Sequence, residues 1–293
     1  MATSPRVLSI QSHVVSGYVG NKAATFPLQV LGFEVDPLNS VQFSNHTGYG
    51  SWKGQVLNEK DLDDLSEGLD KNKLNFYTHL LTGYVGSPSF LRRIAEEVKK
   101  LKTINPNLIY VCDPVMGDNG EMYVPKELLP IYRDEIISLA DILTPNQYEA
   151  ELLTGIKIKS INDAWKAIDE FHVKGVKTVA ISSTNLGTDE YFLGLCSSVI
   201  YGKPTKVTIK IKKLPANFTG TGDVFAALFL AWMYKTENNL KVTLENTIAT
   251  LQGVLRNTLQ MNTDKTIKSL ELRLISSKNV IENPTVEILG EIA

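Results

Sequence analysis

The chain has 293 residues, of which 43% are hydrophobic and 21% are charged. This composition is typical of a globular protein and argues against a disordered chain, and no apolar run approaches the roughly 20 residues that a membrane-spanning helix needs. Thirty Lys and Arg residues against 32 Asp and Glu residues give a net charge of −2. We therefore expect no binding to nucleic acid or to membranes through a general positive field.

The cysteine content and the start of the chain indicate an expected cellular compartment. Two cysteines, Cys112 and Cys196, are too few for a disulfide-stabilised scaffold. The start, MATSPRVLSIQSHVV, lacks the basic segment and sustained apolar core of a secretory leader. A cytoplasmic location is the expectation, and Cys112, in a predicted buried strand, is expected to be an inert core residue.

Short runs rich in β-branched residues alternate with longer segments of helical period in the first two thirds of the chain. Strands are predicted at 6–11, 33–41, 77–83, 108–112, 141–144 and 178–182. Helices are predicted at 20–31, 61–69, 89–101, 125–137, 148–153 and 162–173. This alternation is typical of βα units around a mainly parallel sheet, and no linker or repeat divides it. We predict an α/β fold in a single domain, residues 1–293.

The pattern changes after the sixth predicted strand. Segments 190–195 and 206–211 are predicted to extend the sheet with antiparallel strands. Segment 223–234, which is apolar almost all round, predicts a buried helix, and 240–259 predicts a second helix. The lysines of 203–213 alternate with Val, Thr and Ile, so we interpret them as the solvated face of a half-buried strand and not as a polyanion site.

The sequence TGTGD at 219–223 leads directly into the predicted buried helix. Two glycines allow a sharp turn that gathers backbone N–H groups at a helix N-terminus, where the helix dipole favours an anion. An ordinary helix cap is the alternative, because Gly, Thr and Asp are common at helix starts. The segment lacks the Gly-Lys-Ser/Thr ending of a P-loop and does not follow the first strand, as a dinucleotide-binding glycine run does.

Polar residues follow two neighbouring predicted strands of the sheet. Asp113 and Asp118 follow one strand, and Asn146 and Glu149 follow the next. Because parallel strands end at the same edge of a sheet, these groups can converge there. Carboxylates and an amide suit a hard cation such as Mg²⁺ better than zinc. The alternative is structural, with a turn at Asp113 and Asn146 as the cap of the helix that carries Glu149.

Three further strand-end loops, 9–21, 41–49 and 82–84, mix hydroxyl groups with aromatic and aliphatic side chains. Such a wall fits a small heterocycle better than a bare phosphate. His13 and His46 are more often hydrogen-bonded loop residues than catalysts, and no Ser, His and acid combine as a hydrolase triad requires.

Taken together, these segments resemble the ribokinase-like superfamily and, within it, the family of eukaryotic pyridoxal kinases. The resemblance covers nearly the whole chain. The segments that carry it are RVLSIQSHVVSGYVGNKAATFPLQVLGFEVDPLNSVQFSNHTGY (6–49), LLTGY (80–84), YVCDPVMGD (110–118), DILTPNQYEAELLTG (141–155) and FTGTGDVFAALFLAW (218–232). It implies a three-layer α/β/α fold with a central, mostly parallel sheet, a homodimer, and transfer of the γ-phosphoryl of ATP to the 5′-hydroxyl of pyridoxal, pyridoxine or pyridoxamine. A hydroxymethylpyrimidine kinase of the same superfamily and a non-catalytic pyridoxal-binding protein are the alternatives.

The resemblance also implies a role for each matching residue. Asp223 is similar to the family's catalytic base, and the N–H groups of Gly220, Thr221 and Gly222 are similar to its anion hole. The helix dipole favours the charged form of Asp223, so its role as base requires no raised pKa. The residues implied around the substrate, besides Asp223, are Ser12, Val19, Val41, Phe43, His46, Thr47 and Tyr84. Those implied around ATP are Asp113, Asp118, Tyr123, Asn146, Glu149, Ser182, Ser183, Leu214, Ala216, Phe218, Thr221 and Leu255.

The implied metals are Mg²⁺ and an activating K⁺. The residues implied around them are Asp113, Asp118, Thr144 and Glu149, with Asp113 and Thr144 near the monovalent ion. The chain departs from the family pattern in two short loops, one after Asp118 and one after Ser183. Because surface loops tolerate changes of length, the implied activity stands. We expect these two loops to affect the strength of nucleotide binding.

Overall fold

One ten-stranded sheet forms the middle layer of the protein in the computed structural model, which describes residues 4–261, 264 and 266–293. The strands are β1 (Arg6–Val14), β2 (Glu34–Phe43), β3 (Gly54–Val56), β4 (His79–Thr82), β5 (Ile109–Cys112), β6 (Gly117–Asp118), β7 (Glu121–Met122), β8 (Ile142–Leu143), β9 (Thr178–Thr184), β10 (Tyr191–Ser198), β11 (Thr205–Lys212) and β12 (Glu291–Ile292). The sheet order is β12-β11-β10-β9-β8-β5-β4-β1-β2-β3, and β6 and β7 form a separate hairpin.

The parallel part of the sheet determines where a site can form. Strands β9, β8, β5, β4, β1 and β2 run parallel to one another. Strands β10, β11 and β12 extend one side in antiparallel fashion, as predicted for the first two, and β3 pairs antiparallel with β2 at the other side. All six parallel strands therefore end at one edge, where ligands bind in open α/β sheets.

Helices cover both faces of the sheet. They are α1 (Asn21–Val30), α2 (Glu59–Lys71), α3 (Pro88–Ile104), α4 (Leu128–Ile131), α5 (Gln147–Thr154), α6 (Ile161–Val173), α7 (Thr221–Lys235), α8 (Leu240–Gln260) and α9 (Lys278–Glu282). Buried apolar residues of α2 to α6 form one core with the sheet, and those of α1, α7, α8 and α9 form a second core. The predicted three-layer α/β/α arrangement is confirmed. Among the residues described, no helix is both long and apolar enough to cross a bilayer.

The predicted helix at 125–137 differs from the structure in its geometry. Only the four residues of α4 are α-helical, and Tyr132–Ile136 forms a π-helical stretch followed by a 3₁₀ turn at Ile137–Leu139. Pro130, in the interior of the predicted helix, lacks the N–H that an α-helical hydrogen bond needs, so the segment cannot form one regular α-helix.

Candidate active site

Two adjoining cavities open at the carboxyl edge of the parallel strands. We call them the inner cavity, of about 400 Å³, and the outer cavity, of about 660 Å³. The residues that line both are Asp118, Ser182, Ser183, Phe218, Thr221 and Gly222. Because these shared residues include part of the TGTGD turn, the two cavities meet at the start of α7.

Nearly all residues singled out in the sequence line these cavities. Those at the inner cavity are Ser12, Val19, Phe43, His46, Thr47, Tyr84, Asp113, Asp118, Tyr123, Thr144, Asn146, Glu149, Ser182, Ser183, Phe218, Gly220, Thr221, Gly222 and Asp223. Leu214, Ala216 and Leu255 line the outer cavity. Val41 differs, because it is fully buried, pairs with Ser12 in the β1–β2 register and lines neither cavity. It supports the cavity wall from within the core.

The glycine turn before α7 requires glycine at its first position. Gly220 is the N-cap of α7 and has a φ of 85°, in the left-handed region that glycine adopts at little cost. A Cβ at Gly220 would lie 2.3 Å from the carbonyl oxygen of Tyr18. The first N–H groups of a helix have no acceptor within the helix. The turn therefore presents donors and the positive end of the α7 dipole to the cavity that it lines.

Asp223 lies in the first turn of α7 and is half-buried at the wall of the inner cavity. Burial raises the pKa of its carboxyl from 3.8 to about 6, and a backbone hydrogen bond from Gly20 opposes this rise. This rise does not follow from the dipole, which favours the charged form. Desolvation outweighs the dipole here, and the carboxylate is consequently a better proton acceptor near neutral pH.

Two further carboxyl groups lie deep in the inner cavity. Asp113, at the end of β5, is 4% exposed, and Glu149, in the first turn of α5, is 3% exposed. Burial raises the pKa of Asp113 well above its usual range, and the charges of Glu149 and Asp223 raise it further. Burial also raises the pKa of Glu149 to about 7, although backbone N–H groups oppose the rise. Asp113 is therefore repelled by two other acidic groups of the same cavity.

Asn146 and Glu149 also have the structural role that the sequence left open. The Asn146 Oδ1 accepts the Glu149 N–H at 2.9 Å, and a Glu149 carboxylate oxygen accepts the Asn146 N–H at 2.9 Å, which completes a capping box. The other carboxylate oxygen of Glu149 accepts the N–H of Met116 at 2.9 Å, and Asn146 Nδ2 donates to the Gly117 carbonyl at 2.7 Å. The cap is confirmed, and the same two side chains hold the loop that follows Asp113.

The donor set fits a magnesium ion that keeps most of its waters. The described residues include no group of three His, Cys, Asp or Glu side chains arranged to hold a metal by themselves. Mg²⁺ usually takes one or two carboxylates and completes its shell with water and phosphate oxygens. Asp113 can supply such a carboxylate, and a cation would relieve its repulsion by Glu149 and Asp223. Thr144 is 3% exposed and lies beside this group at the end of β8.

The hairpin of β6 and β7 borders the junction of the two cavities. Asp118, on β6, is exposed and lines both cavities, and its carboxylate accepts the N–H of Asn119 at 2.8 Å. Tyr123 follows β7, is 54% exposed and lines the inner cavity. Asp118 and Tyr123 are two of the residues implied around ATP. The hairpin was not predicted as strand because each of its strands has only two residues.

His46 is the hydrogen-bonded loop residue that the sequence favoured. Its Nδ1 accepts the N–H of Gly48 at 3.2 Å, and its Nε2 lies 3.2 Å from a carboxylate oxygen of Glu271. Sequence reasoning missed Glu271, because it stands far along the chain in a segment without a recognisable motif. The neighbouring loop residue Thr47 begins a 3₁₀ turn, Thr47–Tyr49, at the cavity wall.

The outer cavity combines an apolar wall with lysines. Its wall includes Leu214, Ala216 and Leu255, and Lys212 and Lys213 also line it. Three of the five lysines of this stretch, Lys203, Lys210 and Lys212, are exposed, which confirms that most of them lie on a solvated face. Lys212 and Lys213 are cavity residues that the sequence analysis did not single out, because their alternation with apolar residues indicated only an exposed face.

Comparisons with known proteins give the family. A family model described as phosphomethylpyrimidine kinase matches residues 77–268, more than half of the chain. A pyridoxal kinase of Arabidopsis thaliana is 53% identical over 290 residues, which cover 98% of this chain and 94% of the relative. A pyridoxal kinase of Homo sapiens is 49% identical over 302 residues, which cover 97% of each chain. A solved structure, the pyridoxal kinase from Leishmania donovani in complex with ADP and pyridoxamine, has a TM-score of 0.93 at 34% identity and covers 98% of this chain and 99% of that chain.

These relatives share the length of this chain as well as its fold, so the similarity is not confined to a nucleotide-binding core. The predicted ribokinase-like α/β fold is confirmed, and so is the prediction of a kinase. By sequence identity, coverage and structure, the chain belongs to the pyridoxal kinase family.

Proposed function

We propose that the chain transfers the γ-phosphoryl group of ATP to the 5′-hydroxyl of pyridoxal, and also of pyridoxine and pyridoxamine, in the salvage of vitamin B6. The observation that carries this proposal is the position of Asp223, in the inner cavity and beside the glycine turn shared with the outer cavity. An acceptor hydroxyl in the inner cavity and a nucleotide in the outer cavity would meet at this carboxylate. The relative with ADP and pyridoxamine supports the pairing of these ligands.

Asp223 acts as the general base in this mechanism. Its carboxylate orients the 5′-hydroxyl and accepts the proton as the oxygen attacks the terminal phosphorus. Efficient bases have a pKa near the working pH. Burial raises the pKa of Asp223 to about 6, which leaves it ionised at neutral pH and a stronger acceptor than an exposed aspartate.

The glycine turn stabilises the charge that spreads over the transferring phosphoryl group. The backbone N–H groups of Gly220, Thr221 and Gly222 are the donors, and the dipole of α7 adds a partial positive charge. Phosphoryl transfer depends mainly on positioning and on such electrostatic stabilisation. A rigid turn suits this task because its donors do not have to reorganise during the reaction.

We assign a Mg²⁺ site to the acidic side of the inner cavity, and a K⁺ site to Asp113 and Thr144. Asp113 would provide the carboxylate for Mg²⁺, with Glu149 behind it and Asp118 at the cavity mouth. When bound, the divalent ion would neutralise negative charge on the phosphate oxygens. Glu149 uses both oxygens on backbone N–H groups, so its contribution is to orient the loop and to add negative charge.

The remaining site residues bind the two substrates. Ser12, Val19, Phe43, His46, Thr47 and Tyr84 surround the vitamer ring, with Val41 behind them. Ser182, Ser183, Asn146 and Tyr123 lie near the nucleotide phosphates, and Leu214, Ala216, Phe218 and Leu255 hold the adenine. The support for this division is that one part of the outer cavity wall is apolar, so that a flat base can be buried there. Its residues are Ile211, Leu214, Ala216, Ile248, Leu251 and Leu255.

An ADP-release assay with pyridoxal, pyridoxine, pyridoxamine and hydroxymethylpyrimidine tests the proposal. The pyrimidine is included because the family model that matches residues 77–268 is described as a phosphomethylpyrimidine kinase. We expect a higher kcat/KM for at least one vitamer than for the pyrimidine, and loss of activity without Mg²⁺. Preference for the pyrimidine would replace the substrate assignment, and binding of pyridoxal without ADP release would replace it with a carrier function.

We also propose that the chain works as a homodimer of single-domain subunits in the cytoplasm. The similarity over nearly the full length of the relatives supports a single kinase domain. Light scattering coupled to size exclusion measures the subunit number, and fractionation of cells measures the compartment. A mass of one subunit at micromolar concentration contradicts the dimer.

A further inference from the structure

Glu271 connects two loops of the inner cavity although it comes from the C-terminal segment. Its Oε2 accepts the backbone N–H of Tyr18 at 2.9 Å, in the loop between β1 and α1. Its Oε1 lies 3.2 Å from Nε2 of His46 and accepts the hydroxyl of Tyr49 at 3.1 Å, both in the loop between β2 and β3. The Glu271 side chain is only 9% exposed. One buried carboxylate thus bridges two loops that are distant in sequence.

The core fixes the position of Glu271. The next residue, Leu272, and Leu274 are fully buried in the core that contains α7 and α8. Between them, the N–H of Arg273 donates to Oγ1 of Thr258 on α8 at 3.0 Å. Because the residues that follow Glu271 are anchored in the core, the backbone that carries the carboxylate has a defined place.

The β1–α1 loop is shaped to accept the carboxylate. Gly17 has a φ of 100°, and a Cβ there would lie 2.4 Å from Oε1 of Glu271. The next residue but one, Val19, lines the inner cavity, and the Tyr18 carbonyl packs against Gly220 of the anion-binding turn. Gly220 holds the Tyr18 side of this loop, so displacement of Glu271 would be felt mainly at the ring wall.

The hydrogen bonds of His46 define its tautomer. Its Nδ1 accepts the Gly48 N–H and so carries no proton, which leaves the proton of the neutral ring on Nε2. That proton points to Glu271. Both ring nitrogens are then occupied, and His46 presents carbon atoms, not an acid or a base, to a ligand in the cavity that it lines.

The charge state of Glu271 agrees with this arrangement. Burial alone would raise the pKa of the Glu271 carboxyl, but hydrogen bonds from His46, Tyr18 and Tyr49 together hold the pKa below its usual value. The ionised carboxylate is an acceptor only, as three converging donors require. Burial and the Glu271 charge correspondingly raise the pKa of Tyr49.

We propose that Glu271 is a positioning residue for the vitamer. By accepting hydrogen bonds from both loops it fixes the Nε2–H tautomer of His46, whose Nδ1 then holds Gly48 and thereby sets the turn that carries Thr47. This inference rests on the proposed function, because it places the vitamer ring against His46 and Thr47. It assigns to the C-terminal segment a role in substrate binding, and to His46 the role of an apolar wall for a flat aromatic ring.

Glu271→Gln is the principal test variant. A glutamine has one acceptor oxygen, so it can serve Tyr18 or His46 but must turn its NH₂ group towards the other donors. Glu245→Gln is the matched control, because Glu245 is also a buried glutamate that accepts a backbone N–H, that of Gly290. Glu245 lines neither cavity. KM for pyridoxal, KM for ATP, kcat and the melting temperature are measured for both variants.

We expect Glu271→Gln to raise KM for pyridoxal by about tenfold or more, since small misplacements of positioning groups have effects of this size. KM for ATP should change by less than about twofold, which separates loss of vitamer positioning from general damage. Glu245→Gln should lower the melting temperature without this split. An unchanged KM for pyridoxal in Glu271→Gln, or equal rises in both KM values, would overturn the proposal.

A second background tests whether Glu271 acts through His46. The Oδ1 of an asparagine at position 46 can accept the Gly48 N–H without any help from residue 271. In His46→Asn protein, Glu271→Gln should therefore change KM for pyridoxal by less than about threefold. A full tenfold effect in this background would mean that Glu271 acts without His46, and the proposed relay would be wrong.

The tautomer itself is measured by side-chain ¹⁵N NMR on the unmodified protein, so this test does not depend on the folding of Glu271→Gln. The chain has four histidines, and His46→Asn assigns the signal of His46. We expect an unprotonated Nδ1 and a protonated Nε2 at neutral pH, and a protonated Nδ1 in His46 would refute the inference. This result does not depend on turnover. If the parent protein shows this tautomer but releases no ADP with pyridoxal, the proposed function fails and the Glu271 network stands.

Discussion

Replacement of Asp223 should lower the catalytic rate and raise the stability of the protein. A positioned general base contributes roughly 10² to 10⁴ in rate. We expect Asp223→Ala to remove most turnover while the fold and ATP binding remain largely intact. Asp223→Asn, which keeps the shape of the side chain, should lose turnover to a similar extent. The assay is coupled ADP release at saturating ATP and pyridoxal, with ATP binding measured separately by calorimetry.

The same change should stabilise the protein at neutral pH. Burial raises the pKa of Asp223 from 3.8 to about 6, so the folded state holds this proton more tightly than the unfolded state does. The unfolded state therefore binds fewer protons between these two pH values, and stability falls as the pH rises through them. The pKa difference corresponds to an upper limit of about 3 kcal/mol of destabilisation at pH 7. Asp223→Asn removes it and should raise the melting temperature.

Asp163→Asn is the matched control for Asp223→Asn. Asp163 also lies in the first turn of a helix, α6, but it lines neither cavity. Hydrogen bonding to Ser160 lowers the pKa of Asp163, so its replacement should slightly destabilise the protein and leave turnover unchanged. Turnover of Asp223→Ala within about tenfold of the parent would refute the assignment of a general base. A melting temperature of Asp223→Asn below that of the parent would refute the argument from burial.

Three further predictions concern the turn, the metal and the core. Gly220→Ala places a Cβ against the Tyr18 carbonyl, so it should lose turnover and about 1–3 kcal/mol of stability, measured by thermal unfolding. Gly155→Ala is the control, because Gly155 also has a positive φ but has open space around it, and this variant should keep turnover. Equal loss of turnover in both variants would contradict the role of the turn. Chelation of Mg²⁺ should abolish ADP release and its return should restore it, with full activity in EDTA as the contrary result. Burial lowers the pKa of His79 to about 4, so on acidification the unfolded state takes up a proton before the folded state does. Denaturant titration should therefore show that the free energy of unfolding falls by up to about 3 kcal/mol between pH 6.5 and 4. His79→Phe should abolish this loss. A loss of the same size in His79→Phe would assign it to other groups.

The layers of the fold could be predicted because their elements follow strong periodic patterns. The apolar or β-branched runs at β1, β4, β5 and β9 and the almost entirely apolar α7 are long or regular enough to identify without a structure. Short elements could not. The hairpin of β6 and β7 has two residues in each strand, and β12 pairs only at the very end of the chain, so neither carries a period that a sequence can show.

Residues of the candidate site could be predicted from the sequence where they lie at the end of a strand or the start of a helix. Asp113 and Asp223 could be found in this way, because the parallel sheet brings such positions to one edge. Glu271 could not, since its partners are more than two hundred residues earlier in the chain and only the folded core brings them together. Val41 was predicted at the cavity wall because it belongs to a matching motif, but it lies behind the wall in the core.

The crowding of carboxyl groups has a consequence for how ATP can enter the site. Asp113, Glu149 and Asp223 would present three negative charges to an anionic ligand if all three were ionised, and burial raises the pKa of each. The α7 dipole is equivalent to only about half a positive charge at the glycine turn, which cannot offset them. A cation that accompanied the phosphates would reverse the balance, because each carboxylate would then gain an attraction in place of a repulsion. With the proposed metal site, these acidic residues would favour the metal-bound form of the nucleotide over the free form, and the cation would also lower the pKa of Asp113.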